Sequence, residues 1–297
     1  MDVLIIRILT CVLFILSGCY HSRITAQVTD QLGASVQPTV KAERLSVTAA
    51  KSACRIFIGA DSGTCFFVTR ARNNRQQTVL VTAAHLFEKA KGKEAKLVFR
   101  ESAGRREITI PIQNSANMPL WKKHSKYDIA GLAVDLPDSD LVNIFPMEQL
   151  ADQELFDSQT ITVGQACQIP SFPAKLESTS LGYPILRSGS IASYPLTPVL
   201  SQPTFMIDIS AFGGDSGAPV LSAVNDQKES IQSKTDAVDQ PEAKPKPKLM
   251  VVGLVFAKQR QTHTTVTPYE ELVRHTPMGI SIAVNSVFIR QTIEMMP

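Results

Sequence analysis

Ser216 lies in a segment whose composition suits a nucleophile. The segment reads GGDSGAPV over residues 213–220 and lies between two apolar runs. A serine hydroxyl is a weak nucleophile until an adjacent base removes its proton. Glycines on both sides allow a tight backbone in which N–H groups can point at a negatively charged oxygen. The alternative is an ordinary glycine-rich turn, in which the serine is present for its turn preference.

His85 and Asp128 could supply the base and the partner of that base. His85 ends the apolar segment VTAAH, and an imidazole can accept the serine proton and later return it. Asp128 begins the apolar run DIAGLAV, where a partly buried carboxylate could accept the imidazole N–H and stabilise the imidazolium. Taken alone, His85 would be interpreted as a surface residue and Asp128 as the first residue of a strand. The order His, Asp, Ser differs from the order in subtilisin-like enzymes and in α/β-hydrolases.

Short segments rich in β-branched and aromatic residues predict the elements that must position these groups. From Cys54 onward they include RIFIG, TCFFV, TVLVTAA, AKLVFR, TFMIDIS and LMVVGLVFA. About eleven or twelve such strands predict an all-β barrel or sandwich. MEQLADQELF predicts a short helix, and SVFIRQTIEMM predicts a C-terminal helix. Residues 225–248 contain no aromatic residue and carry opposing charges, which predicts a long mobile loop.

Residues of about 52–292 resemble the bacterial trypsin/chymotrypsin-like serine peptidases, because they contain the motifs TAAH, DIA and GDSGAPV in this order. The phrases GTCFFV, LRSGSIAS and MVVGLVF support the resemblance. It implies two six-stranded antiparallel β-barrels with a C-terminal helix, a protein or peptide substrate and no cofactor. His85 and Asp128 would come from the first barrel and Ser216 from the second. The N–H groups of Gly214 and Ser216 would form the oxyanion hole.

The resemblance also implies roles for residues near the nucleophile. Asp215 would anchor its loop through a partner other than a freed N-terminus, since no activation sequence precedes the domain. Ser210 would lie at the base of the first specificity pocket, with Phe256 and Lys258 along its wall. No acidic residue occupies the base, which disfavours strict cleavage after Arg or Lys. Lys258 would either attract an acidic side chain or face solvent.

Two functions therefore follow from the resemblance. The first is a serine endopeptidase that works through a His-Asp-Ser triad and an acyl-enzyme. The second is a catalytically silent peptide- or protein-binding lipoprotein on the same fold. Such silent relatives usually lack a triad residue, whereas this chain has all three. No PDZ-like module is expected after the barrels.

The first residues predict export. An apolar run of about a dozen residues is too short to span a bilayer and ends in LSGC at residues 16–19. This resembles the lipobox of bacterial lipoproteins, so residues 1–18 are predicted to be a signal peptide and Cys19 the lipid site. The protein would then be anchored to a membrane of the bacterial cell envelope. A secreted or periplasmic soluble protein and an uncleaved anchor are the alternatives. Residues 19–51 would form a polar tether and residues 52–297 the folded domain.

Composition excludes several other classes. The chain has 30 basic and 27 acidic residues and no basic stripe, so no nucleic-acid partner is expected. No CxxC or Cys/His spacing indicates a metal site. Cys54 and Cys65 lie on consecutive predicted strands, and they either form a disulfide or remain buried thiols.

Overall fold

The computed structural model describes residues 40–225, 247–267 and 270–297, and Arg44–Pro297 forms one compact unit. The predicted signal peptide, Cys19 and most of the predicted tether lie outside the described residues. Residues 226–246 of the predicted loop do so as well.

The first sheet has eight strands and curls into a barrel. Its order is β5-β4-β1-β2-β3-β7-β6, all antiparallel, with β8 parallel to β2. A bridge between Gln113 and Pro119 joins the two ends of this order. The resemblance implies six strands, and the two further strands are the short β6 and β8. The strands are β1 (Cys54–Ile58), β2 (Asp61–Arg72), β3 (Arg75–Thr82), β4 (Glu94–Glu101), β5 (Gly104–Pro111), β6 (Trp121–Lys123), β7 (Ala130–Ala133) and β8 (Ile144–Pro146).

The second sheet has six antiparallel strands in the order β10-β9-β12-β13-β14-β11. An antiparallel bridge between Ile191 and Ile207 joins the ends of β10 and β11, which closes this sheet into a second barrel. The fold is thus all-β with two barrels, as predicted. The strands are β9 (Ala166–Ser171), β10 (Ile185–Ser190), β11 (Thr204–Ile207), β12 (Pro219–Asn225), β13 (Pro247–Val266) and β14 (Glu271–Asn285).

β13 and β14 extend beyond the second barrel as a two-stranded ribbon. β12 pairs with β13 only as far as Leu254, whereas β13 and β14 stay paired out to Val266 and Glu271. Val266 and Leu272 at the far end are exposed. The ribbon begins at the residues that follow Val255, next to the nucleophile segment, because the backbone N–H of Gly217 donates to the carbonyl of Val255.

Four α-helices accompany the strands in the described part of the chain: α1 (Val40–Lys51), α2 (Ala84–Glu88), α3 (Gln153–Asp157) and α4 (Ser286–Glu294). The predicted helix near residue 150 is a 3-10 turn over Met147–Gln149 followed by α3. The predicted C-terminal helix is α4, which begins at the cap Asn285, whose side-chain oxygen accepts from the N–H of Val287.

α4 follows the second barrel in the chain but packs against the first. Its Phe288 contacts the ring of Tyr127, with centroids 4.2 Å apart. Arg70 of β2 donates from its guanidinium to the carbonyls of Ile293, Met296 and Pro297. The strand segment around Asp128 is therefore covered by the last residues of the chain.

The structure moves two predicted boundaries. Helix α1 occupies the end of the predicted polar tether, and its Ala49 is fully buried, so the compact unit begins at Arg44 rather than at residue 52. At the predicted loop of residues 225–248, β12 and β13 pair as far as Asn225 and Pro247, because the barrel ladder continues to that point.

Candidate active site

His85 lies on α2, which begins two residues after the buried end of β3. Its backbone N–H donates to Oδ1 of Asp128 at 2.8 Å, and its ring Nδ1 lies 2.6 Å from Oδ2. One residue therefore engages both oxygens of the carboxylate. Because Nδ1 carries a hydrogen in this bond, Nε2 keeps the lone pair that a general base needs.

Asp128 immediately precedes the buried residues Ile129 and Ala130. Burial by itself opposes ionisation of this carboxyl. The side-chain and backbone hydrogen bonds from His85, together with the charges of His85 and Lys123, outweigh it, so the pKa of Asp128 is lowered from its ordinary value. The carboxylate is thus anionic over the whole neutral range and can stabilise an imidazolium.

Ser216 is held in place by a strand of the other barrel. Thr64 of β2 donates its backbone N–H to the carbonyl of Ser216 at 2.9 Å and its hydroxyl to the carbonyl of Gly214 at 2.7 Å. Gly217 has φ +90, and a Cβ there would lie 2.0 Å from the carbonyl oxygen of Thr64. Only glycine fits this close approach, which explains its place after Ser216.

The backbone around Gly214 leaves two N–H groups available. Within the part of the chain that the structure describes, the N–H groups of Gly214 and Ser216 have no hydrogen-bond partner. The preceding carbonyl, of Gly213, accepts from the N–H of Ala174 at 2.7 Å and is thereby held in one orientation. Ala174 adopts φ 50 and Lys175 φ 66, a left-handed conformation that non-glycine residues rarely take.

Asp215 has an internal partner in Arg187 of β10. Nη2 of Arg187 lies 2.8 Å from Oδ1 of Asp215, and Oδ2 accepts from the N–H of Phe212 at 2.6 Å. Oδ1 is close to the guanidinium but off the direction of an aligned hydrogen bond, so the contact is an ion pair rather than a hydrogen bond. Asp215 is only 1% exposed. A carboxylate that is buried to this extent needs a charged partner, and Arg187 supplies it.

His85 and Ser216 line one open cavity of about 310 Å³ between the barrels. Among the described residues, the Ser216 hydroxyl has no hydrogen bond to the imidazole. Catalytic hydrogen bonds are often loose before substrate binds. The other lining residues are Lys89, Ala211, Phe212, Gly213, Asp215, Val255, Phe256, Ala257 and Lys258.

The predicted specificity residues divide into two groups. Phe256 and Lys258 line the cavity, and both are half-buried. Ser210 is half-buried, and its place at the pocket base stays a prediction. Its carbonyl accepts from Nη1 of Arg187, and this bond holds the residue behind the loop. Lys89 was not predicted, although its position four residues after His85 on a short helix was a usable signal.

The cysteines are buried thiols. Cys54 and Cys65 face each other across β1 and β2, and both are free. Burial raises the pKa of both thiols and raises that of Cys167 to about 12. In the described ranges, no three His, Cys, Asp or Glu side chains are clustered as a metal site requires. None of the helices in these ranges is long and apolar enough to cross a bilayer.

A family model described as a trypsin-like peptidase domain matches residues 63–227, which contain His85, Asp128 and Ser216. No curated protein matches the sequence. Among solved structures, the chain is similar to Rv3671c from M. tuberculosis H37Rv, crystallised as a serine-to-alanine mutant in an inactive form. The identity is 12%, the match covers 88% of this chain and 93% of the other, and the TM-score is 0.46.

Proposed function

Because the chain belongs to the trypsin-like peptidase family, we propose that it is a serine endopeptidase with Ser216 as nucleophile and His85 as general base. The observation that carries the proposal is the pair of hydrogen bonds from His85 to Asp128 in a cavity that Ser216 also lines. The substrate is a protein or peptide that enters this cavity. No cofactor is needed, since side chains supply the nucleophile, the base and the base's partner.

In the first half of the reaction, Ser216 Oγ attacks the carbonyl carbon of the substrate while its proton passes to Nε2 of His85. Asp128 stabilises the resulting imidazolium through the 2.6 Å contact to Nδ1. The imidazolium then gives the proton to the leaving amine, the C–N bond breaks, and an ester to Ser216 remains. In the second half, His85 takes a proton from water, which attacks the ester. The carboxylic acid leaves, and the proton returns to Ser216 Oγ.

The N–H groups of Gly214 and Ser216 stabilise the oxygen that becomes negative in each tetrahedral intermediate. Their directions are fixed because the carbonyl of each peptide unit is already bonded: that of Gly213 accepts from the N–H of Ala174, and that of Asp215 accepts from the N–H of Ala218. Donors that are oriented before the reaction need no reorganisation when charge develops. Removing one such donor typically costs about 10²- to 10³-fold in rate.

A fluorophosphonate probe and a peptide library test the proposal on the purified protein. We expect the probe to label Ser216 and the wild type to cleave peptides. Ser216→Ala and His85→Ala should each lower turnover by about 10⁴-fold or more, because triad residues act as a unit. Ser102→Ala, on an exposed turn between β4 and β5, is the matched control and should behave as the wild type. Equal cleavage by the wild type and both triad variants contradicts the assignment.

The second function that the sequence leaves open is that of a catalytically silent peptide- or protein-binding lipoprotein on the same fold. The same probe separates the two functions, because only an activated serine reacts with it. A wild type that binds peptides but resists the probe would establish the binding function.

We further propose that the protein is lipid-anchored in the bacterial cell envelope through Cys19. The support is the LSGC segment at the end of a short apolar run. A diacylated cysteine anchors stably, since each buried methylene contributes about 0.8 kcal/mol.

A further inference from the structure

We propose that Lys258, together with Lys89, makes the cleft selective for polypeptides with a glutamate or aspartate at the scissile bond. The inference rests on the proposed function and names the substrate class of the same cavity. It begins with the two ammonium groups among the residues that line the cavity beside His85 and Ser216. Lys89 comes from the first barrel, directly after α2, and Lys258 comes from β13 of the second.

Neither lysine has an acidic partner among the described residues. The carboxylates near them are already engaged. Asp215 is paired with Arg187, Asp128 with His85, and Glu88 with Lys123. A cleft with two uncompensated cations and no free carboxylate attracts anionic groups and repels cationic ones.

Lys258 is the better placed of the two to select a side chain. It is half-buried, whereas Lys89 is exposed, so a pair with Lys258 is less screened by solvent. The aromatic rings of Phe212 and Phe256 line the same cavity and offer contact to the methylene groups of a glutamate. The volume of about 310 Å³ accommodates one side chain of this size with its solvent.

Lys258 is half-buried and lines the cavity beside Ser216, so its ammonium group is available to a substrate side chain there. The pairing of β13 with β14 is irregular on either side of this residue, between Val255 and Ala257 and between Lys258 and Arg260. Bulges of this kind change the direction of side chains next to active sites.

The test uses matched peptides that differ only in Glu, Gln or Lys at the residue before the scissile bond. For the wild type we expect kcat/KM for Glu to exceed that for Gln by about 5-fold, the scale of one partly exposed ion pair. The ratio should shrink in high salt, where charges are screened. Lys258→Ala should bring the ratio close to one, and Lys258→Glu should favour Lys over Gln. Lys89→Ala should lower the Glu/Gln ratio of kcat/KM by a smaller amount. Lys91→Ala is the control, an exposed lysine outside the cavity, and should change nothing.

The inference is overturned if the wild type has equal kcat/KM for the Glu and Gln peptides. It is also overturned if the ratio of these two values is unchanged in Lys258→Ala. Fluorescence anisotropy can measure the binding of the same peptides to Ser216→Ala. This measurement tests the selectivity for Glu separately from the peptidase proposal. A Glu preference in binding supports the inference even if the wild type cleaves nothing. Equal binding of Glu and Gln peptides overturns it even if the wild type is an active peptidase.

Discussion

Arg187 and Asp215 form an ion pair next to Ser216, with Nη2 and Oδ1 2.8 Å apart. The guanidinium also donates to the carbonyl of Ser210 and, at 2.9 Å, to the hydroxyl of Ser171. Asp215 in turn accepts from the N–H of Phe212. A single strand residue of β10 thus fixes both ends of the segment from Ser210 to Asp215, which contains the proposed oxyanion donor Gly214.

Replacing Arg187 with methionine should disorder this segment and leave a buried carboxylate without its charge partner. Removing one partner of a buried pair typically costs about 3–5 kcal/mol of unfolding free energy. We expect a loss of this order in urea unfolding and a fall in kcat larger than the change in KM, because the oxyanion donors act in the transition state. The double variant Arg187→Met/Asp215→Asn should recover part of the stability. Equal stability of the single variant and the wild type would show that the pair is unimportant.

The lowered pKa of Asp128 predicts a pH-dependent contribution to stability. A carboxyl whose pKa is depressed in the folded state stabilises the fold above its unfolded value and loses this effect as pH falls through the folded value. The free energy of unfolding of the wild type should therefore exceed that of Asp128→Asn by a constant amount above about pH 5, where an unperturbed carboxyl is ionised. This difference in the free energy of unfolding between the wild type and Asp128→Asn should vanish in stronger acid. Chemical unfolding between about pH 2 and pH 7 measures it, and a difference independent of pH would contradict the assignment.

Asp128→Asn should also slow peptide cleavage by about 10⁴-fold, because the amide favours the wrong imidazole tautomer. Folding of the variant at neutral pH, checked by circular dichroism, is the control for this measurement.

The buried thiols should resist alkylation in the native protein. With a pKa of about 12, Cys167 is a thiolate in only about one molecule in 10⁴ at pH 8. Cys54 and Cys65 are fully buried with raised pKa values, so iodoacetamide should modify none of the three until guanidinium unfolds the chain. Intact mass after alkylation of the unfolded, unreduced protein counts the free thiols. Modification of Cys167 alone would reveal a disulfide between the other two.

Cys19→Ala tests the proposed anchor. If Cys19 is the lipid site, the wild type should partition with membranes and carry a lipidated N-terminal cysteine by mass spectrometry. The variant should lose the lipid and accumulate as precursor or as a differently processed product. Peptidase activity of the released domain should persist, because the described fold begins well after residue 19. An unmodified mature N-terminus beyond Cys19 would exclude the anchor and leave the peptidase proposal intact.

The sequence predicted most of the strands around the proposed catalytic residues. The strands there are apolar runs, and β2 is continuously buried from Gly63 to Val68, so their type could be recognised locally. His85, Asp128 and Ser216 could be recognised because each sits in a short motif and the three occur in a distinctive order.

Other features could not be predicted, because distant residues decide them. A strand arginine usually faces solvent. The site that receives Arg187 is built from Ser171, which precedes it in the chain, and from Ser210 and Asp215, which follow it. Helix α1 lacks a clear apolar period. Its last carbonyl, of Lys51, is bound by the buried Arg100, so tertiary contact orders it.

The outer part of β13 was also missed, because its segment QRQTHTT offers no apolar alternation and the pairing with β14 alone defines it.

The position of α4 sets the timing of assembly. Arg70 and Ile293 are 223 residues apart in the chain, and α4 reaches the first barrel only after the second has been synthesised. During vectorial synthesis the first barrel can collapse early, but the segment that carries Asp128 remains without its cover until the final dozen residues emerge. We therefore expect the protein, as a proposed peptidase, to become active only once α4 has docked, after both barrels have formed.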